Sequence, residues 1–441
     1  MKRSTARSSL IRGTVQLAAA GICTRIIGLA NRVALSRLVG AGGLGLYQMI
    51  LPLYALLAVG AGLGLSGAVA KMVADRDAVG DHAGGQRIRQ IALRLVLAAA
   101  LVIALLLWTT APWWQHLLPD RRIYGVLLLM PAAFLFAALS SILRSYTQGR
   151  GQMLPTALSQ VAEQVVRVSL GLAAAYLLHP YGLEYALLGL FGGIIAGEIA
   201  CLGTLFLMRA ASPALPRNPE SLFPRLTGEL FSLALPILLI RLSTALTQSI
   251  ESLMIPGRLQ TAGLGTAGST ALYGHLAGMA LPLLFLPTVL IIPLNTTLVP
   301  AIAAASTLRL KSRLERLINL SLWGALGLGA LSAALLYSGA PLLTRMFYGT
   351  TAAAGLVTRL APLAPFAYLQ FTTAAVLHGL GRPGYAFSTD LAGTTAGLVI
   401  IYHLTAQPQW GINGAVCGYT VAFISIALLD YLLINRFLRK I

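Results

Sequence analysis

Acidic residues are scarce in this chain. Its 441 residues include 13 Asp+Glu against 32 Lys+Arg, and all charged residues together make up only 10%. With 57% hydrophobic residues, so low a charged fraction excludes an ordinary soluble domain and describes a polytopic membrane protein. A formal charge of +19 would point to nucleic acid in a soluble chain. In a membrane chain such a surplus is first of all the topology signal of cytoplasmic loops, so no nucleic-acid partner is expected. Cysteine is nearly absent. Cys23, Cys201 and Cys417 all fall in apolar segments, which excludes a disulfide framework and a clustered thiolate metal site. They read as small packing residues. His275, His378 and His403 stand on separate segments without metal-ligand spacing, and no glycine-rich loop ending in Lys-Ser/Thr is present. No metal, cofactor or attached ATPase is therefore expected. Asp75-Arg76-Asp77 reads as a solvated acidic turn, not as a nucleotide-sugar motif.

What the chain has instead is long apolar runs. Stretches of about 20 apolar residues, separated by basic or Gly/Pro-rich connections, give twelve expected spans. They cover 12–38, 46–73, 91–110, 122–148, 155–179, 183–209, 226–256, 270–305, 314–338, 352–379, 384–406 and 411–436. The basic start, Met1 to Arg12, resembles a signal peptide, but the apolar run continues past Ala20 to spanning length and is read as an uncleaved first helix. With a cytoplasmic N-terminus, 22 of the 32 Lys+Arg fall on the cytoplasmic side, six on the other side and four inside spans. This bias predicts a multi-pass membrane protein with both termini cytoplasmic.

The chain also repeats itself. The stretch from Gly149 (GRGQMLPTALSQVAEQVVRVSLG) aligns with that from Gly379 (GLGRPGYAFSTDLAGTTAGLVII) at a lag of about 230 residues, and LGLYQMILPLYALL near Leu44 resembles STALYGHLAGMALPLL near Ser269. Six spans repeated in the same orientation imply two six-helix lobes related by a pseudo-twofold along the membrane normal, with a site between them. The expected division is an N-terminal lobe at 1–210, a cytoplasmic linker at 211–225 and a C-terminal lobe at 226–441. Pro213, Pro216, Pro219 and Pro224 suit a semi-rigid connection. Glycines and prolines of the second and eighth spans, Gly60 to Gly67 and Pro282 to Pro300, mark bends.

Charge inside these spans is the functional signal. Arg25 and Arg32 lie in mid-span, where a charge costs about 2.5–3.5 kcal/mol and therefore faces a watery cavity or a partner. Seven residues apart, they differ by about 20° and share one helix face with Gly21 and Gly28. Asn31 adds a polar group to the same span. Arg241, Thr244, Gln248, Glu251 and Ser252 form a polar face on the seventh span, either lining the same cavity or packing between helices. Glu163 and Arg167 have the i,i+4 spacing of an intrahelical ion pair. Glu198 and Asp390 have no local partner, and either neutralise a cavity arginine or bind a proton or cation.

The stretch GTVQLAAAGICTRIIGLANRVALSRLVGAGGLGLYQMILPLYALLAVGAGLGLSGAVAKMVAD, Gly13 to Asp75, resembles the stage V sporulation protein B family. That family is part of the MOP superfamily, with the lipid II flippase, polysaccharide-repeat flippases and MATE multidrug exporters. The resemblance implies an all-α, MATE-like, V-shaped transporter, not an enzyme, that works by alternating access. As cargo it implies a polyprenyl-pyrophosphate-linked saccharide, a peptidoglycan precursor or another envelope or spore polysaccharide unit. It matches Arg25, Arg32 and Arg241 to the arginines thought to hold pyrophosphate, with Asn31 and Gln248 beside them. Glu163, Arg167, Glu198, Glu251 and Asp390 are left for ion coupling or charge balance. Partners implied are the lipid-linked cargo, membrane lipids and envelope-synthesis proteins. Relatives commonly have fourteen spans, so a lipid-tail groove built from two further helices is not expected in these twelve. The alternative function is a cation-coupled multidrug exporter, which would favour carboxylates and aromatics where the first span has arginine and asparagine. A polyprenyl-phosphate enzyme would need more than the Asp120, His116 and Glu184 that the outer connections supply.

Overall fold

A computed structural model describes the backbone of residues 2–208 and 223–439, and the side chains within 15–208 and 226–439. In chain order the helices are α1 (Lys2–Gly62), α2 (Leu65–Ala78), α3 (His82–Leu117), α4 (Tyr124–Gly149), α5 (Met153–Leu178), α6 (Leu183–Leu207) and α7 (Phe223–Thr261). There follow α8 (Thr266–Tyr273), a π-helical segment (Gly274–Ala280), α9 (Leu281–Phe285), α10 (Thr288–Thr307), α11 (Lys311–Tyr348), α12 (Ala354–Leu360), α13 (Ala364–Gly379), α14 (Pro383–Leu404) and α15 (Ile412–Leu438). No strand occurs among the described residues. The chain is an all-α, multi-pass membrane protein.

Ten helices of the described residues are long and apolar enough to cross a membrane. The difference from the twelve expected has two local causes. Val15–Gly62 is counted once although its 48 residues, at 1.5 Å each, run about 72 Å, more than two crossings of a ~30 Å hydrocarbon core. Gly40 breaks its helical geometry (φ 64°, ψ −169°), separating the first two expected spans. The second cause is α14, a continuous 22-residue helix made less apolar by Ser388, Thr389, Asp390, Thr394 and Thr395.

Two expected spans are corrected. The second does not run unbroken from 46 to 73: the helix stops at Gly62, and Leu63 and Gly64 both take positive φ (49° and 64°) before α2 begins. A Cβ at Gly64 would lie 2.8 Å from the Leu238 Cβ and 2.9 Å from the Ala234 carbonyl, so the turn packs where only glycine fits. The eighth, expected as one helix over 270–305, is divided into α8, the π-helical segment, α9 and α10. Pro287, which has no amide hydrogen to donate, stands at the break before α10.

By internal contacts the chain forms two compact units. One comprises Met1–Gly40 and Met49–Ile250, the other Ala41–Gln48 and Glu251–Ile441. The expected linker, residues 211–225, lies outside the described residues except for its last three, which open α7. In the first unit α5 and α6 make a close glycine-lined crossing. A Cβ at Gly193 would lie 2.6 Å from the Arg167 carbonyl, and one at Gly197 2.8 Å from the Glu163 carbonyl. In the second unit the segment Ala41–Gln48, from the VGAGGLGLYQM stretch, packs on α8 and the π-helical turn. A Cβ at Gly45 would collide with the Thr270 carbonyl, one at Gly274 with the Ala41 carbonyl, and one at Gly278 with the Leu44 side chain. The segments near Leu44 and Ser269 that resemble one another in sequence are thus in contact. The rest of this unit buries an apolar core that includes Ile302, Leu314, Ile318, Val376, Leu377 and Ile434.

Candidate functional site

The α5–α6 crossing brings four charges together in the first unit. Glu163 on α5 accepts from both Arg144 of α4 and Arg167 one turn along its own helix. Arg167 also reaches Glu198 of α6, Nη2 to Oε1 at 3.4 Å. Glu198 is 6% exposed, and its other oxygen accepts from the Ser140 hydroxyl at 3.0 Å. Tyr54, on the second half of α1, has its hydroxyl 3.5 Å from Glu198 and its ring edge-on to Phe191 at 5.7 Å. Arg144 donates further to Ser159 at 3.3 Å and to the Cys201 sulfur at 2.7 Å. Two guanidinium groups thus balance two carboxylates, and the remaining lone pairs meet hydroxyl donors. That is the condition under which charge persists in a dry interior. Gly193 and Gly197 make it possible, because a side chain at either would push α6, and Glu198 with it, away from Arg167.

The i,i+4 pair is what local spacing predicts. Arg144 is different: sequence reading counts it among loop cations, whereas it lies inside α4 on Glu163. Its place five residues before the end of α4 was the only signal. Glu198, without a local partner in sequence, finds one on the neighbouring helix. Carboxylate and sulfur atoms of Glu163, Glu198 and Cys201 lie within 4.8 Å of one another. A metal ion there would have to displace two guanidinium groups, so the cluster is an ion-pair network by its chemistry.

The other predicted residues are not part of this network. Arg25 is exposed on α1 and makes no ion pair among the described residues, while Arg32 and Asn31 are partly buried. A Cβ at Gly28, between the arginines, would lie 3.5 Å from the Gln164 amide, which sets this stretch of α1 beside α5. Along α7, Arg241, Thr244 and Gln248 are exposed, Glu251 is partly buried and Ser252 is fully buried. Glu251 lies within electrostatic reach of the buried Tyr273 and Tyr419 of the second unit. Asp390 accepts from the Gln370 amide at 3.2 Å. Sequence reading missed Asp430 of α15, which is 1% exposed and accepts from the hydroxyls of Thr373, at 2.8 Å, and Thr389. A carboxylate within the last apolar run was its signal.

The family model for polysaccharide biosynthesis proteins matches residues 10–306, about two thirds of the chain. The chain belongs to the polysaccharide biosynthesis protein family. This polysaccharide biosynthesis protein is 33% identical to the stage V sporulation protein B of Bacillus subtilis (strain 168), a match covering 98% of this chain and 85% of that protein. It is 26% identical to the lipid II flippase MurJ of the same organism, over 97% of this chain and 83% of that one. Among solved structures, an inward-facing multidrug resistance MATE family transporter of the MOP superfamily superposes with a TM-score of 0.76. That match covers 97% of this chain and 98% of that one at 15% identity, so the two share a fold. The family stretch with the glycine motif at Gly45 and both halves of the charge network fall inside the matched residues.

Proposed function

We propose that this polysaccharide biosynthesis protein is a flippase for a polyprenyl-pyrophosphate-linked saccharide, with no enzymatic step, in the bacterial cytoplasmic membrane. Both termini are cytoplasmic in this reading, and the repeated halves, 1–210 and 226–441 about the 211–225 linker, work by alternating access. The observation that carries it is Arg25, an exposed guanidinium in a membrane-length apolar helix with no carboxylate on it among the described residues. The cavity role of Arg32, Arg241, Asn31 and Gln248 is part of the same proposal. Guanidinium is always charged, weakly hydrated and forked, which suits phosphate oxygens in a partly dry cavity. Glu163 and Glu198 support the reading because Arg144 and Arg167 hold them, so neither competes with a phosphate for the arginines of α1. Family membership and relatives named as a sporulation protein and a lipid II flippase favour a lipid-linked cargo over a cationic drug. Glu251 and Asp390 remain the groups through which a proton or sodium ion would couple.

The test is transport of a polyprenyl-pyrophosphate saccharide in proteoliposomes, with binding compared against the same lipid lacking pyrophosphate. Arg25→Ala with Arg241→Ala should abolish transport and pyrophosphate-dependent binding while insertion is retained. Full transport by that double variant would sink the role given to the arginines.

A further inference from the structure

Within the first unit, α3, α4 and α6 enclose a cavity of about 310 Å³ that the transport reading does not use. Its wall is largely apolar, with Leu97, Leu139, Leu143 and Leu205 among others, and at one end it carries the buried Arg89 with Arg94 and Arg150. No Asp or Glu lines it. Arg89 and Arg150 stand 4.7 Å and 5.9 Å from the centre of the Tyr146 ring, a cation–π contact for each. Arg150 has one carboxylate near it, Asp77 at 3.8 Å from its Nε, and Arg94 is exposed. This end of the cavity is where α3 begins and where α4 and α6 end, the side that the distribution of Lys and Arg makes cytoplasmic. Beyond Leu97 the apolar wall continues outward along α3 through the exposed Leu101 and Leu105.

We propose that this cavity binds an anionic phospholipid of the cytoplasmic leaflet, its phosphate at Arg94 and Arg150 and an acyl chain against the leucines. Charge complementarity selects this occupant. A basic pocket between helices at the cytoplasmic face is the setting in which anionic headgroups bind. The linker that follows α6 is a poor alternative, because residues 209–225 carry Arg209, Arg217 and Arg225 against the single Glu220. An apolar protein partner would offer no anion to the exposed Arg94. No residue of α1 lines the cavity, so the site is separate from the arginines assigned to cargo, and its test stands apart from that assignment.

The experiment is native mass spectrometry of the full-length protein, released from detergent with equal amounts of phosphatidylglycerol and phosphatidylcholine of the same acyl chains. Wild type should retain phosphatidylglycerol at least fivefold over phosphatidylcholine. Arg94→Gln with Arg150→Gln should bring that ratio below twofold, and Arg94→Lys with Arg150→Lys should preserve most of it. If the double glutamine variant does not fold, Arg94→Gln alone, at an exposed position, should still lower the ratio by half or more. Leu143→Trp, which fills the apolar wall, should lower retention of both lipids. Equal retention of the two lipids by wild type, or an unchanged preference after the arginine substitutions, would overturn the proposal. So would displacement of phosphatidylglycerol by an equal concentration of a polyprenyl pyrophosphate, which would make the cavity a cargo site.

Discussion

Replacing Glu163 by glutamine removes the one carboxylate that two guanidinium groups share. Arg167 is then left with Glu198 at 3.4 Å, and Arg144 with the Ser159 hydroxyl and the Cys201 sulfur. At an effective dielectric of 20, a pair of unit charges 3.4 Å apart attracts by about 5 kcal/mol, so the loss of two such contacts is large before relaxation. Breaking one side of a buried pair costs about 3–5 kcal/mol in practice, because an uncompensated charge stays behind. Glu163→Gln should lose that much in reversible unfolding by SDS in mixed micelles. Adding Arg144→Gln restores the balance of one arginine and one glutamate, and the double variant should be about 1–3 kcal/mol more stable than the sum of the single losses requires. A single variant within about 0.5 kcal/mol of wild type, or strict additivity, would refute a network in which charge balance decides stability.

The glycine crossing is tested by Gly197→Leu, which places a Cβ 2.8 Å from the Glu163 carbonyl and should cost about 1–3 kcal/mol. Gly203→Leu on the same helix, with open space around it, should stay within about 0.5 kcal/mol in the same titration. Gly64→Ala should lose about 1–2 kcal/mol, since φ of 64° disfavours any side chain and its Cβ would meet the Ala234 carbonyl. Asp430→Ala leaves the Thr373 and Thr389 hydroxyls without their carboxylate and should cost about 1–3 kcal/mol, whereas Asp430→Asn, which keeps an acceptor, should cost less. For topology, single cysteines at Ser312 and Thr350 in a cysteine-free chain should label oppositely with an impermeant maleimide. Thr350 should react in intact cells and Ser312 only after permeabilisation, and the reverse pattern would invert the orientation.

Local periodicity made the helices and the Glu163–Arg167 pair legible, because both ends of each interaction lie within one or two turns of the same chain segment. Arg144 and Glu198 were not legible as partners. Their meeting depends on where α4 and α6 cross α5, and that is set by glycines whose role is visible only once the opposing backbone is in place. The same holds for VGAGGLGLYQM: its glycines mark a family, but the physical reason, that Gly45 and Gly274 let two backbones touch, comes from the fold. The break at Leu63–Gly64 was hidden for a related reason. A leucine between glycines keeps the apolar run unbroken on paper, while the positive φ values end the helix. Asp430 was readable in principle, as an acid within an apolar run, but its neutral hydroxyl partners carry no charge signal.

The two repeats use the same close crossing for different polar chemistry. At a lag of about 230 residues, Glu163 and Arg167 correspond to Gly393 and Gly397. In α5–α6 the glycines of α6 face the backbone of the charged helix. In α14–α15 the relation is reversed, with Gly397 of α14 set against Gly418 of α15, where a Cβ would lie 2.8 Å from the opposing carbonyl. The second pair therefore has no room for an ion pair at the corresponding positions, and that unit satisfies Asp390 and Asp430 with amide and hydroxyl donors instead. Among the described residues the arginine–carboxylate ion pairs lie in the first unit. On the proposed function this asymmetry has a use. A helix that offers guanidinium to a pyrophosphate must not have a free carboxylate beside it. Pairing Glu163 and Glu198 with Arg144 and Arg167 removes both nearby carboxylates from competition and leaves Arg25 to the cargo.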